Sequence, residues 1–378
     1  MKIATNVDRD AFGGITISNL ALFDWLAEGD STVVGIEYVA RRHVLGAVIF
    51  QKYSQTFFRH HIIGSFDIAQ KYPWTKVWNL KKKWRVLIDE TKKTLAQESP
   101  DIVLINGTYS LPWILVQAAS EMHLPIVLRY AGVMKKEIEN LGYFVRRRLA
   151  RYEREIASLA DAIIFPSSIC KEVVEREVLF RLLPESMVIP NPIGSLGKVS
   201  RKSAANAAHT IACVGRWTKV KNFQAFFALH QELLASEWNH RAIVVTQPTR
   251  AHIPETIERL GQMSHDALQD FYTSVDLVVI PSHFETFSNV AAEAIAHGCS
   301  VLTSNNVGFA EVLREAGLER MIVDSFDDVE NVARAVKCIA QKKLTEKERR
   351  AVLRILDSQR VHKEIYGVLE STLSRSKE

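Results

Sequence analysis

The sequence predicts an α/β protein built from two doubly wound domains, each a parallel sheet covered by helices on both faces. Three observations carry that expectation. At 378 residues the chain exceeds the usual domain of about 100 to 200 residues and calls for two cores. Short β-branched runs alternate with longer amphipathic stretches, the pattern of a parallel sheet whose strands are joined by crossover helices. That alternation stops at a stretch rich in Gly, Ser, Ala and Asn, "VIPNPIGSLGKVSRKSAANAAHT", and then starts again.

In the first half the strand-like runs are residues 2–7, 33–39, 101–105, 125–130 and 161–165. In the second half they are residues 210–215, 241–246, 276–281, 300–304 and 320–323. The domain boundary is placed between residues 193 and 194, with the two domains expected to face each other across a cleft, where ligands of such sheets bind beyond the carboxyl ends of the strands. From Thr345 the chain reads as a terminal helix or helix pair: Thr345 and Glu348 form a capping-box pair, and apolar residues recur at helical spacing through Val352, Leu356, Ile365, Tyr366 and Leu369.

Hydrophobic residues make up 47% of the chain and charged residues 24%, which excludes a largely disordered protein. The net charge is +5, with basic residues bunched at 81–83, 146–148 and 342–343, so local patches for phosphorylated ligands or an anionic surface matter more than the total. Nucleic acid is not an expected partner, because these runs carry no binding motif. The four cysteines lack a CxxC pair and suggest neither zinc nor disulfides; a cytoplasmic place is expected, with the inner face of a membrane as a further possibility. No apolar run reaches the ~18 residues of a spanning helix.

Function concentrates in "DLVVIPSHFETFSNVAAEAIAHG". A strand ends near Pro281, Glu285 follows in the loop, and a helix is expected from about Ser288, with Glu293 inside it. The backbone N–H groups of Thr286, Phe287 and Ser288 at that helix start suit a phosphate. Glu285 would then bond sugar hydroxyls and Glu293 a ribose diol, since a carboxylate accepts two hydroxyl protons; taken alone, two glutamates at this spacing favour the ordinary reading of Glu293 as a surface residue and Glu285 as a loop charge. In "CVGRWTKVKNF" a strand ends at Gly215 and is followed by Arg216, Lys219 and Lys221, cations placed to neutralise a leaving diphosphate. Lys219 reads as a solvated lysine.

These segments resemble glycosyltransferase family 4 of the GT-B fold. "VGRWTKVKN" is similar to the family's strand followed by Arg and Lys, "FYTSVDLVVIPSHFETFSNVAAEAIAHGCSVLTSN" to its E-x7-E region, "VGFAEVL" to the segment after it, "VIPNPI" to its interdomain junction, and "GGITISNLALFDWL" to its glycine-rich loop. The resemblance implies two Rossmann-like domains, an acceptor domain at 1–193 and a donor domain at 194–354, with a C-terminal helix at 355–378 packing back on the first. It implies Glu285, Arg216 and Lys221 as the catalytic set, with Arg216 and Lys221 on the donor diphosphate and Glu285 on its sugar. Donor binding falls to Glu293, Thr286, Phe287, Ser288, Gly215, Gln262, Met263 and Gly14, with the stretch from Gly261 near the base. It also implies retention of configuration and no cofactor or metal; the lone "DRD" at 8–10 reads as loop charge.

The chain departs from the family pattern on the acceptor side. The family's histidine near the reacting carbon is replaced by Ala131, or by Tyr130 in a register one residue earlier. Gly13, Asn106, Arg129 and Tyr130 remain as acceptor-side candidates. "VVTQPTR" stands where a glycine-rich turn is expected. Trp74, Trp78 and Trp84 beside Lys81–Lys83, and Tyr143 and Phe144 beside Arg146–Arg148, combine aromatic and basic groups in a way that suits either a lipid headgroup interface or a helix with one packed face. The resulting expectation is a retaining hexosyltransferase moving a sugar from a nucleotide diphosphate sugar, a UDP-sugar first and a GDP-sugar second, to a glycan or lipid-linked hydroxyl. The alternatives are a nucleotide-sugar-binding protein without turnover and a nucleotide-sugar epimerase.

Overall fold

The computed structural model describes residues 1–7, 14–40, 59–65, 77–138, 142–183, 186–193, 208–249 and 251–377. The backbone divides into two compact units, one of Met1–Phe165, Val173–Ile189 and His362–Glu378, the other of Pro166–Glu172 and Pro190–Val361. The division differs in detail from the expected 193/194 boundary. It falls after Ile189, residues 166–172 go with the second unit, and the terminal segment joins the first unit from His362 rather than from 355.

Among the described residues the first unit holds seven strands: β1 (Lys2–Val7), β2 (Thr32–Ala40), β3 (Arg59–Ser65), β4 (Ile102–Asn106), β5 (Ile126–Arg129), β6 (Ala162–Phe165) and β7 (Ser186–Val188). Their order is β3-β2-β1-β4-β5-β6-β7, and every pairing is parallel. Central strands with helices on both faces have no polar side, which is why Ile102–Ile105 are all fully buried. The order reverses between β1 and β4. The first part of the terminal segment is helix Glu346–Ile355, whose capping box between Thr345 and Glu348 is complete. The chain then continues as helix Ser358–Arg375, and Trp25 packs against His362 and Tyr366 at ring distances of 5.6 and 6.2 Å.

The second unit holds β8 (His209–Val214), β9 (His240–Val245), β10 (Ile257–Leu260), β11 (Leu277–Ile280), β12 (Ser300–Ser304) and β13 (Ile322–Val323). Their order is β10-β9-β8-β11-β12-β13, again parallel throughout. Helix Phe223–Ala235 buries Phe223, Phe226, Phe227, Leu229 and Leu233, the i, i+3, i+4 stripe that its sequence spaces along one face. The strand order reverses between β8 and β11, so the loops leaving these two strands open on either side of the switch point.

Candidate active site

The second unit places the predicted cations and Glu285 on the two loops that flank its switch point. After β8 the chain passes Gly215 and Arg216 and turns through the short 3-10 helix Lys219–Lys221. Asn222 then adopts a left-handed conformation, φ 50°, and begins helix Phe223–Ala235. Trp217 stacks on Phe223 at 4.6 Å and anchors this turn to the core. The aliphatic stem of Lys221 runs over Gly215, where an added Cβ would lie 3.6 Å from the lysine Cδ. Arg216 is exposed at the strand end.

After β11, Glu285 meets Lys221. The Lys221 ammonium lies 2.8 Å from Glu285 Oε1, and the Ser282 hydroxyl donates to the same oxygen at 2.6 Å. The two loops are also joined through the backbone, where His283 N–H donates to the Val220 carbonyl at 2.8 Å. Because Glu285 retains only a small accessible fraction, 11% against 23% for Lys221, the ion pair is shielded more than a surface pair and holds the carboxylate in one orientation. Ser282 was not among the sequence candidates; a serine three residues before a glutamate in a strand-end turn is the local signal for such a bond.

The next residues form the expected helix start. Helix Asn289–Ala296 follows Ser288, whose side chain accepts the Ala291 N–H as its N-cap. Ser288 has φ 102°, a left-handed conformation that costs a non-glycine residue about 1 to 3 kcal/mol and is held by its surroundings. Phe287 is buried, packed edge-on against Phe309 at 5.6 Å. Glu293 occupies the second turn of this helix, where burial pushes its carboxyl up to about 7 and the Tyr272 hydroxyl beside it offsets part of that rise. Among the described residues that buried hydroxyl has no well-aligned hydrogen bond. Tyr272 was also missed, since nothing in the local sequence links it to Glu293. Gln262 and Met263 follow β10 at its carboxyl end, Gln262 exposed and Met263 partly packed on the core.

The first unit treats its candidates differently. Asn106 ends β4, with its Nδ2 on Thr5 Oγ1 at 3.1 Å, while Asn6 bridges both its backbone groups at 3.0 and 2.8 Å. Arg129 points inward, donating to Asn19 Oδ1 at 2.8 Å and Ser18 Oγ at 3.0 Å, and burial pushes its pKa down to about 10. Tyr130 is 1% exposed and stacks on Phe165 at 5.1 Å. Arg129 and Tyr130 therefore belong to the interior of their unit, because β5 ends just where its residues meet the helix carrying Ser18 and Asn19. Gly14 begins helix Gly14–Glu28; Gly13, the 8–10 loop and Trp74 lie outside the described residues. Trp84 is likewise interior, edge-on to Trp113 and Tyr152. Tyr143 and Phe144 are exposed, 60% and 56%, beside a surface pocket of about 320 Å³ lined by Lys135, Lys136, Arg146 and Arg147 with Glu177.

Comparison with known proteins places this geometry in a family. Residues 39–194 match the model described as Glycosyltransferase Family 4 and residues 208–342 the model described as Glycosyl transferases group 1. The chain belongs to this family of glycosyltransferases. It is 25% identical over 273 residues to the lipopolysaccharide 1,2-N-acetylglucosaminetransferase of Salmonella typhimurium, covering 66% of this chain and 67% of that one. A 55-residue stretch is 44% identical to an uncharacterised glycosyltransferase of Methanocaldococcus jannaschii, 15% of this chain and only 14% of the length of that relative. Among solved structures, Anabaena HepE in complex with UDP and glucose is similar with a TM-score of 0.70 at 14% identity, covering 98% of this chain and 100% of that one. At such identity the likeness establishes the GT-B fold class.

Proposed function

We propose that the protein transfers a sugar, with retention of configuration, from a nucleotide diphosphate sugar to a hydroxyl of a glycan or lipid-linked acceptor. The observation that carries this reading is the Lys221–Glu285–Ser282 cluster at the switch point of the second unit. Both bonds to Glu285 end on Oε1, so Oε2 is the oxygen a donor hydroxyl would meet. Lys221 and Arg216 supply positive charge for the departing diphosphate, and the amides of Thr286, Phe287 and Ser288 supply hydrogen bonds to it. Glu293 takes the ribose diol, with Gln262 and Met263 near the base. The chemistry assigned to these groups is charge neutralisation at the leaving group, which asks for no metal; rates unchanged by a chelator are the expected result. In a retaining transfer of this type a donor phosphate oxygen accepts the proton of the attacking hydroxyl, so no strong protein base is required. UDP is the favoured nucleotide, supported by the UDP complex of the Anabaena protein, and a saccharide acceptor is supported by the name of the Salmonella relative.

The same reading gives the first unit an anionic surface as a peripheral partner, through the basic pocket and its exposed Tyr143 and Phe144. Among the described residues no helix is long and apolar enough to cross a membrane. The test is thermal stabilisation and nucleotide release across a panel of nucleotide sugars, with and without pooled acceptors. A shift with one donor and acceptor-dependent release support transfer. A second reading, sugar-nucleotide binding without turnover, is favoured by the interior placement of Tyr130, and binding without release under every acceptor would establish it.

A further inference from the structure

Residues 166–172 belong to the second unit although the chain on both sides of them belongs to the first. Ser167 holds this segment in place. Its oxygen accepts the Cys170 N–H at 3.2 Å, the third amide of helix Ser168–Val173, and its own proton goes to the Thr286 carbonyl at 2.6 Å. The other two amides of that first turn, Ser168 and Ile169, donate to Glu311 at 2.9 and 3.0 Å. The carbonyls on either side of Thr286 are also held: Gly308 N–H donates to Glu285 O at 3.0 Å, and Phe309 N–H to Phe287 O at 2.7 Å.

Three successive carbonyls are thus fixed by three different groups. In a planar trans peptide the N–H points opposite to the C=O it shares a plane with, so fixing the carbonyls of 285, 286 and 287 aims the N–H groups of Thr286, Phe287 and Ser288. The approach is close: a Cβ on Gly308 would stand 2.3 Å from the Thr286 oxygen and 2.5 Å from Ser167 Oγ. Only a glycine fits there without moving the loop. The left-handed Ser288 that follows is the kind of backbone that persists where surrounding bonds over-determine it.

We propose that Ser167 is a positioning residue of the donor site: its hydroxyl fixes the Thr286–Phe287 peptide and thereby aims the Phe287 amide at the donor diphosphate. The inference rests on the donor-site reading above, and it assigns a role in that site to a residue 119 positions away in sequence. The test compares three variants of the full chain, Ser167→Ala, Glu311→Ala and Gly308→Ala, by calorimetric binding of UDP and of the preferred UDP-sugar, by donor and acceptor KM, and by thermal melting.

Ser167→Ala is expected to raise the donor Kd and KM about tenfold, the loss of roughly one hydrogen bond's worth of positioning, with acceptor KM unchanged. Glu311→Ala removes the other caps of the same helix but leaves the Thr286 bond, so it is expected to lower the melting temperature comparably while donor binding stays within about twofold. Gly308→Ala displaces the same carbonyl from its other side and is expected to weaken donor binding at least as much as Ser167→Ala, which keeps the inference testable if the serine variant does not accumulate. Wild-type donor affinity in Ser167→Ala, or an equal loss in Glu311→Ala, overturns the role of Ser167. No nucleotide binding by the wild type overturns the donor-site reading itself.

Discussion

Lys221 and Glu285 hold each other in an orientation that either would lose alone. Their pair is shielded enough that removing the lysine strands a carboxylate with Ser282 as its remaining partner, a change that costs more than breaking a surface pair but less than breaking a deeply buried one. Lys221→Met is expected to lower stability by about 1 to 2 kcal/mol and, on the proposed reading in which Lys221 neutralises the leaving diphosphate, the transfer rate by roughly 100-fold or more. Glu285→Gln keeps the shape and the serine bond, so it should melt near the wild type while losing activity; an unchanged rate would remove the carboxylate from the mechanism. The Glu293 carboxyl is raised to about 7 by burial. A carboxyl whose folded pKa lies above its unfolded value of 4.5 contributes stability that is full below that value and is lost as pH rises through 7. Glu293→Gln is therefore expected to flatten this part of the pH–stability curve and to melt a few degrees higher than wild type at pH 8 in the absence of ligand. A variant less stable than wild type at that pH would contradict it.

At the level of elements, the second sheet carries a titrating clasp at its far end from the site. His240 begins β9 and presents Nδ1 to the Trp238 carbonyl at 2.7 Å, while its Nε2 meets His230 Nδ1 at 2.8 Å; His230 Nε2 reaches Thr256 Oγ1 at 3.0 Å. Trp238 O can only accept, so His240 donates from Nδ1, and burial pushes the pKa of both rings down, which favours their neutral forms. Burial, then the neighbouring His240, pushes His230 down to about 4. Because the unfolded chain takes up these protons first, stability is lost as pH falls from 6.5 toward 4. Melting of wild type against His230→Gln over that interval measures it: the wild type should lose stability steeply and the variant less so, whereas parallel curves would exclude the clasp as the cause.

The same elements show what could be read in advance. The central strands β4, β5 and β11 were legible because burial on both faces writes them as apolar runs, and β1, β8 and β12 were legible as short β-branched runs that also carry buried Thr, Ser or Asn. Strands β3, β7 and β10 were not, and among the described residues all three are edge strands. With one neighbour and part of the backbone toward solvent, sequences such as "RHHIIGS", "SMV" and "IERL" carry no such run. The site divides in the same way. Glu285, Lys221 and the Ser288 cap follow from local order along the chain, while Ser167 and Tyr272 come from distant segments brought in by packing, which no spacing rule encodes.

At the level of the whole molecule, the chain passes between its two units more than once, and the final passage is the most readily cut. Residues 362–378 contribute fully buried Ile365 and Leu369 to the first unit, alongside the rings of His362 and Tyr366 that pack on Trp25. Burying each such aliphatic side chain contributes about 1.5 to 3 kcal/mol, against a total domain stability of about 5 to 15 kcal/mol. Ending the chain after Val361 should therefore unfold or severely loosen the first unit, while the second keeps β8 to β13 and every residue assigned to the donor except Gly14, the one donor candidate that lies in the first unit. The expected calorimetric record is loss or a large downward shift of one transition and survival of the other. Saturating UDP-sugar should raise the survivor, by ~2.7 kcal/mol at a hundredfold excess over Kd, with acceptor-dependent transfer abolished. Loss of donor binding together with transfer would mean that the second unit does not hold its site without the first, and that donor recognition is a property of the assembled chain rather than of one sheet and its loops.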